Sequence, residues 1–220
     1  MLWFGRIRPR SGKPAATTAV SLRTANRLAA IAALAQERGP LPIPSLLESL
    51  KDSDARVRLA SAQVLEEHAD PGHRTQFLAL LTDEHFEVRV TAIQFLGRLR
   101  DPGLAQPLVS LLGDADSDVR LAAAQALGPL RNPVAIEPLV LALADQEPVV
   151  RRTAVASLEQ INRRWVRSGA TKRAIPRLEA LCRESQPWVV AAAQKVLEKL
   201  RAAQDMDTEF WNRESGIRNL

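Results

Sequence analysis

The sequence predicts an all-α protein, a right-handed α-solenoid of about five stacked antiparallel helix pairs. Three observations predict it. Four series of residues recur at a spacing of 31: Val57-Arg58, Val88-Arg89, Val119-Arg120 and Val150-Arg151; Asp52, Asp83, Asp114 and Asp145; Pro40, Pro71, Pro102 and Pro133; and Leu50, Leu81, Leu112 and Leu143. A fixed period of this length is the mark of a repeat architecture. Apolar residues make up 46% of the 220 residues but aromatics only 4%, with no Tyr, so Ala and Leu dominate and favour thin, closely packed helices over a sheet. Finally, the apolar residues of each period fall on a helical stripe.

The third unit shows how one period is built. A short apolar segment, Pro102 to Leu112, leads to a turn around Asp114 and then to a second helix beginning at Val119. There Val119, Ala123, Ala126, Leu127 and Leu130 fall on one face at the α-helical period. The pairs Gly128-Pro129 and Asn132-Pro133 are expected to break the chain before the next unit. One helix pair cannot bury both its faces. Stacked neighbours can, and they give a continuous core.

These units resemble the HEAT-repeat family, and within it the short repeats of the phycobilisome-lyase type. The residues that carry the resemblance are Leu111-Leu112-Gly113-Asp114 to Val119-Arg120, then Ala123-Ala124-Gln125-Ala126-Leu127-Gly128, and Ala135-Ile136-Glu137-Pro138-Leu139. The match is close over 41–161 and weaker back to 21 and forward to 201. The fifth unit is displaced by eight residues, Pro187-Trp188-Val189 matching Pro148-Val149-Val150 at a spacing of 39. The organisation expected is a basic flexible tail over 1–20, a solenoid over 21–201 with an irregular insertion at 163–171, and a C-terminal tail over 202–220.

The net charge of +5 is unevenly spread. Residues 1–36 contain Arg6, Arg8, Arg10, Lys13, Arg23 and Arg27 and no acid. A second acid-free basic run holds Arg163, Arg164, Arg167, Lys172, Arg173 and Arg177. The lone cysteine, Cys182, leaves no intramolecular disulfide and suits a reducing compartment. No run approaches the ~18–20 apolar residues that cross a bilayer. The first residues, Met1 to Gly5 followed by arginines, have their charge on the wrong side of too short an apolar run for a secretory signal. A cytoplasmic protein is expected.

The repeated charges are the easiest to over-read as a binding surface. In the resembled family such residues form a ladder, each arginine reaching a turn aspartate or a backbone carbonyl of an adjoining unit. That role suits arginine's planar donor fork. It makes Arg58, Arg89, Arg120 and Arg151 scaffold.

The far side of the second helices is the better candidate for function. At 100° per residue, Leu121 and Gln125 fall opposite the core stripe. Their register equivalents are Leu59 and Gln63, Val90 and Gln94, and Leu28, while Arg152 ends the row. The resemblance implies that second helices line a concave inner surface. The row Leu28, Leu59, Val90 and Leu121 is then expected to face water as an apolar patch for a partner, flanked by the glutamines.

Other features carry less. His68, His73 and His85 lie among acids, but helix-end and turn positions favour solvated side chains over a metal site. Gly97 and Gly128 read as helix-end glycines. No phosphate loop and no nucleophile–base pair is present, so no catalytic residue, cofactor or metal is expected. The insertion, with Arg163, Arg164, Trp165, Arg167, Lys172 and Arg173, could clasp phosphates and stack a base, or Trp165 could pack inward while the arginines solvate a turn. Trp3 and Phe4 near the start and Phe210 and Trp211 near the end are apolar anchors suited to docking.

The expectation is a protein-binding scaffold, adaptor or assembly factor whose partner is another protein or a multi-subunit complex. The resemblance also implies a bilin lyase subunit or a chaperone for tetrapyrrole proteins as an alternative. Nucleic-acid binding through 163–177 is a further one.

Overall fold

A computed structural model describes the backbone of residues 15–36, 41–68, 70–184 and 186–214, and the side chains of 23–36, 41–68, 70–183 and 186–203. Every regular element among the described residues is helical. The helices are α1 (Ala15–Gln36), α2 (Ile43–Ser49), α3 (Ala55–Glu67), α4 (Arg74–Leu80), α5 (Phe86–Arg98) and α6 (Ala105–Val109). They continue with α7 (Ser117–Leu130), α8 (Ile136–Ala142), α9 (Pro148–Ile161), α10 (Gly169–Glu184) and α11 (Pro187–Glu214). The chain divides into two compact units, residues 1–64 and 65–220.

The first unit holds α1, α2 and most of α3. Ile31, Leu46, Leu50, Val57 and Ala62 are buried in it. Arg27 reaches the Asp52 carboxylate at 3.2 Å, and Arg58 donates to the Asp52 carbonyl at 2.8 Å. Asp52 also accepts from the Asp54 backbone N–H, which tightens the turn into α3.

The second unit repeats the motif. Short first helices α4, α6 and α8 each pack on a longer partner, α5, α7 and α9, and the long helices pack side by side, α5 on α7 and α7 on α9. α10 lies against α8 and pairs with α11. The register is visible in the burial. Val88, Val119 and Val150 are fully buried, as are Leu96, Leu127 and Leu158, and Leu197 takes the same place after the eight-residue displacement. Phe77, Leu108, Leu139 and Leu178 form the matching series on the first helices. Phe77 stacks on Phe95 with ring centroids 3.7 Å apart, the rings filling the space between α4 and α5.

The turns are held by carboxylates. Asp83, Asp114 and Asp145 each accept from the backbone N–H two residues on. Arg89, Arg120 and Arg151 each donate to the carbonyl of the aspartate six residues back. The same guanidiniums bridge repeats: Arg89 meets Asp114 at 2.8 Å, and Arg120 meets Asp145 through two bonds of 2.7 and 3.1 Å. The carbonyls thus belong to each arginine's own unit, not to the adjoining one, and only the carboxylates cross. Asp101 and Asn132 close the turns before the first helices in the same way, and Arg74 reaches Asp101 at 2.7 Å.

Several boundaries differ from the sequence reading. Gly128-Pro129 does not break the chain, since α7 runs through both to Leu130. The left-handed cap is Arg131, with φ of 50°, and Arg100 adopts the same φ after α5. The glycines serve close packing instead. A Cβ on Gly97 would stand 2.9 Å from the Ala126 Cβ of α7, and one on Gly128 would stand 3.1 Å from the Ser157 Cα of α9. The Ser157 hydroxyl donates to the Ala124 carbonyl at 2.6 Å beside that contact. The segment read as a C-terminal tail is helical as far as Glu214, because no Pro or Gly interrupts it after Pro187. Likewise α1 begins at Ala15, inside the segment read as an N-terminal tail.

Candidate functional site

The second-helix face is the candidate. In the second unit Gln94 on α5, Gln125 on α7 and Arg152 on α9 are exposed. Val90 and Leu121 are only half-buried, and in the first unit Leu28 and Leu59 are half-buried while Gln63 is exposed. The expected row of apolar side chains is thus half-exposed rather than fully open to water. Beside them the amides of Gln94 and Gln125 are the more exposed groups. The large apolar side chains that are exposed among the described residues are Val134, Val149 and Trp188. Val149 and Trp188 are register equivalents at a spacing of 39, so the repeat itself could have revealed Trp188 as a surface residue.

Between α5 and α7 this face forms a groove of about 490 Å³, lined by Gln94, Gln125, Gly97, Arg98 and Pro129, with Glu66 from the end of α3. Sequence reasoning placed Glu66 among solvated acids, but it is buried. Its Oε1 lies 2.6 Å from Nη2 of Arg98 yet has no aligned hydrogen-bond donor. Burial pushes the Glu66 carboxyl above its ordinary value, against the opposing pull of Arg98. Glu66 occupies the position held by Gly97 and Gly128 in the next units, a departure from the repeat that marked it in the sequence. The groove thus offers amide donors and acceptors, two cations, Arg98 and Arg100, and one buried carboxyl, a surface suited to hydrogen-bonding a polypeptide backbone.

The basic insertion is split rather than gathered. Trp165 lies in a single 3-10 turn, Trp165–Arg167, and is 3% exposed. Its carbonyl accepts from the Thr171 hydroxyl at 2.5 Å, and Ser168 caps the start of α10 by accepting from Thr171 N–H. A buried indole has no face to offer a base, which removes the stacking role. Of the surrounding cations, Arg163, Arg164, Arg167 and Lys172 are exposed, and Arg173 pairs with Glu137 at 3.1 Å. His73 is buried, contrary to the solvated reading, while His68 and His85 are exposed. Cys182 is half-buried on α10. Trp3 and Phe4 lie outside the described residues. Phe210 and Trp211 fall on the α11 backbone, beyond the described side chains.

Against known proteins, the family described as HEAT repeats matches residues 43–128, 74–159 and 107–198. The chain belongs to this family of helical repeat proteins. No curated protein matches it. Among solved structures, an engineered protein of a structural genomics consortium superposes with a TM-score of 0.54 at 22% identity, over 86% of this chain and 93% of that one. A designed armadillo repeat protein in complex with the peptide (KR)4 gives 0.52 at 22% identity, over 84% and 95%. The complex of CpcE and CpcF of phycocyanin lyase from Nostoc sp. PCC7120 gives 0.50 at 24% identity, over 75% and 67%. These likenesses are of fold. No helix among the described residues is long and apolar enough to cross a membrane.

Proposed function

We propose that the chain is a non-catalytic protein-binding scaffold or adaptor that holds an extended segment of its partner on the second-helix face. The observation that carries this reading is the pair of exposed amides, Gln94 and Gln125, one period apart beside the groove between α5 and α7. A carboxamide both donates and accepts, so amides spaced along a stack of helices can pair with the N–H and C=O groups of an extended chain. The designed armadillo protein, whose bound molecule is a peptide, supports it by likeness of fold.

The test replaces Gln94 and Gln125 with Lys in the full chain and compares partner recovery from the native cell by affinity purification and mass spectrometry. Loss of the specifically retained protein, with the helical melt unchanged, is the expected result. Equal recovery by both forms removes this face from consideration.

A further inference from the structure

The second-helix face changes character at its far end. α5 packs along α7 and α7 along α9, but α9 and α11 are held apart by the turn Trp165–Arg167, which touches both. The eight-residue displacement supplies that wedge. Where a helix would otherwise close the gap, a cleft of about 270 Å³ remains, floored by Trp165 with Val155 and Val196 on its walls. Four cations line it, Arg151 and Arg152 from α9 and Lys195 and Lys199 from α11, and no acidic side chain does. Lys199 Nζ stands 5.8 Å from the centre of the Trp165 ring. Arg151 spends its bonds on the carbonyls of Asp145 and Gln146. No carboxylate among the described residues pairs with any of the four.

Like charges lining one cleft repel one another, and an anionic occupant relieves this, while half-buried Val155 and Val196 give it an apolar contact. The register adds a second argument. At the 39-residue displacement Lys195 is the equivalent of Ala156, and thus of Gln125 and Gln94 in the units before. The cleft is the continuation of the amide face, with ammonium groups in place of amides.

We infer that the cleft between α9 and α11 binds an acidic segment of a partner protein, in which carboxylates flank an apolar side chain. The side chain enters against half-buried Val155 and Val196, and the carboxylates meet Arg152, Lys195 and Lys199 at the rim. The inference deepens the protein-binding reading by giving the partner a polarity, its acidic part lying over α9 and α11. A polynucleotide fits less well, because the buried indole cannot stack bases and the cations form a cluster rather than a track.

The experiment selects a displayed random-peptide library on the full chain, then measures synthetic peptides of the winning sequence by fluorescence anisotropy. Enrichment of Asp and Glu around Leu, Phe or Trp is expected, with affinity falling at least tenfold for Lys195→Glu/Lys199→Glu and falling steeply as salt is raised on the unaltered protein. The lysines are exposed, so circular dichroism of the variant should match the parent; Lys195→Ala/Lys199→Ala gives a second, milder reading. No enrichment, enrichment of basic peptides, or affinity indifferent to the lysines and to salt overturns the inference. Equal or tighter binding of a single-stranded oligothymidine, lost with the same lysines, also overturns it and assigns the cluster to phosphate. Failure of the Gln94 and Gln125 test alone would leave this outcome readable, since it rests on different side chains.

Discussion

Gly97 shows how much a single position determines. Its missing side chain lets α5 approach α7 until a Cβ there would stand 2.9 Å from that of Ala126. Alanine would gain about 1 kcal/mol of helix propensity at this site. Overpacking against a neighbour that is itself only a methyl group costs about 1–3 kcal/mol. Gly97→Ala is therefore expected to lower stability, read as a reduced midpoint of urea unfolding, although a helix-propensity argument alone predicts the reverse. A raised midpoint would show that α5 and α7 can separate cheaply. The glycine was legible in the sequence, but its purpose was not. Proximity to a helix end suggested a cap, whereas the close contact comes from a residue 29 positions away.

Among the elements, the inter-repeat rungs join one helix pair to the next. The Arg120 side chain is 7% exposed and that of Asp145 8%, and two bonds join them while two more, to the Asp114 and Ala115 carbonyls, hold Arg120 to its own turn. The hydrogen bonds to Asp145 raise the pKa of Arg120. Removing one partner of a buried pair strands the other, at a cost of about 3–5 kcal/mol. Arg120→Ala is expected to lose that much in chemical denaturation. Arg56→Ala, which breaks the exposed pair of Arg56 with Asp54 at 2.8 Å, should leave the midpoint where it was. Similar losses from both would mean that the rung contributes no more than a surface ion pair. The rung was readable from the 31-residue spacing of Arg and Asp. Which carbonyl each arginine takes was not, because own-turn and adjoining-turn oxygens are equally compatible with the spacing.

In the molecule as a whole, the period means that one unit within residues 65–220 can be removed without disturbing register. Deleting residues 102–132 joins Asp101 to Pro133, a junction equivalent to Asn132-Pro133, and brings Arg89 to Asp145 in place of Asp114. The shortened chain is expected to keep its helical signal per residue and to unfold cooperatively. Its m-value should fall by roughly a seventh to a fifth, following the surface no longer buried. Loss of the cooperative transition would mean that the units are not interchangeable.

The sequence by itself determined the helix pairs, their period, the buried Val and Leu series and the scaffold role of the repeated charges. All of these are periodic, and every repeat restates them. It also pointed to the second-helix face and to the insertion around Trp165. Only the tertiary structure decided what those places offer. Val90 and Leu121 are half-buried, while the amides of Gln94 and Gln125 are exposed. Trp165 turns inward and wedges α9 from α11, opening a cationic cleft that spacing could not reveal. The physical reason is the same in both cases. A pattern along the chain states which side of its own helix a residue occupies, but exposure depends on how closely the next helix approaches, and here glycines and an eight-residue displacement set that distance.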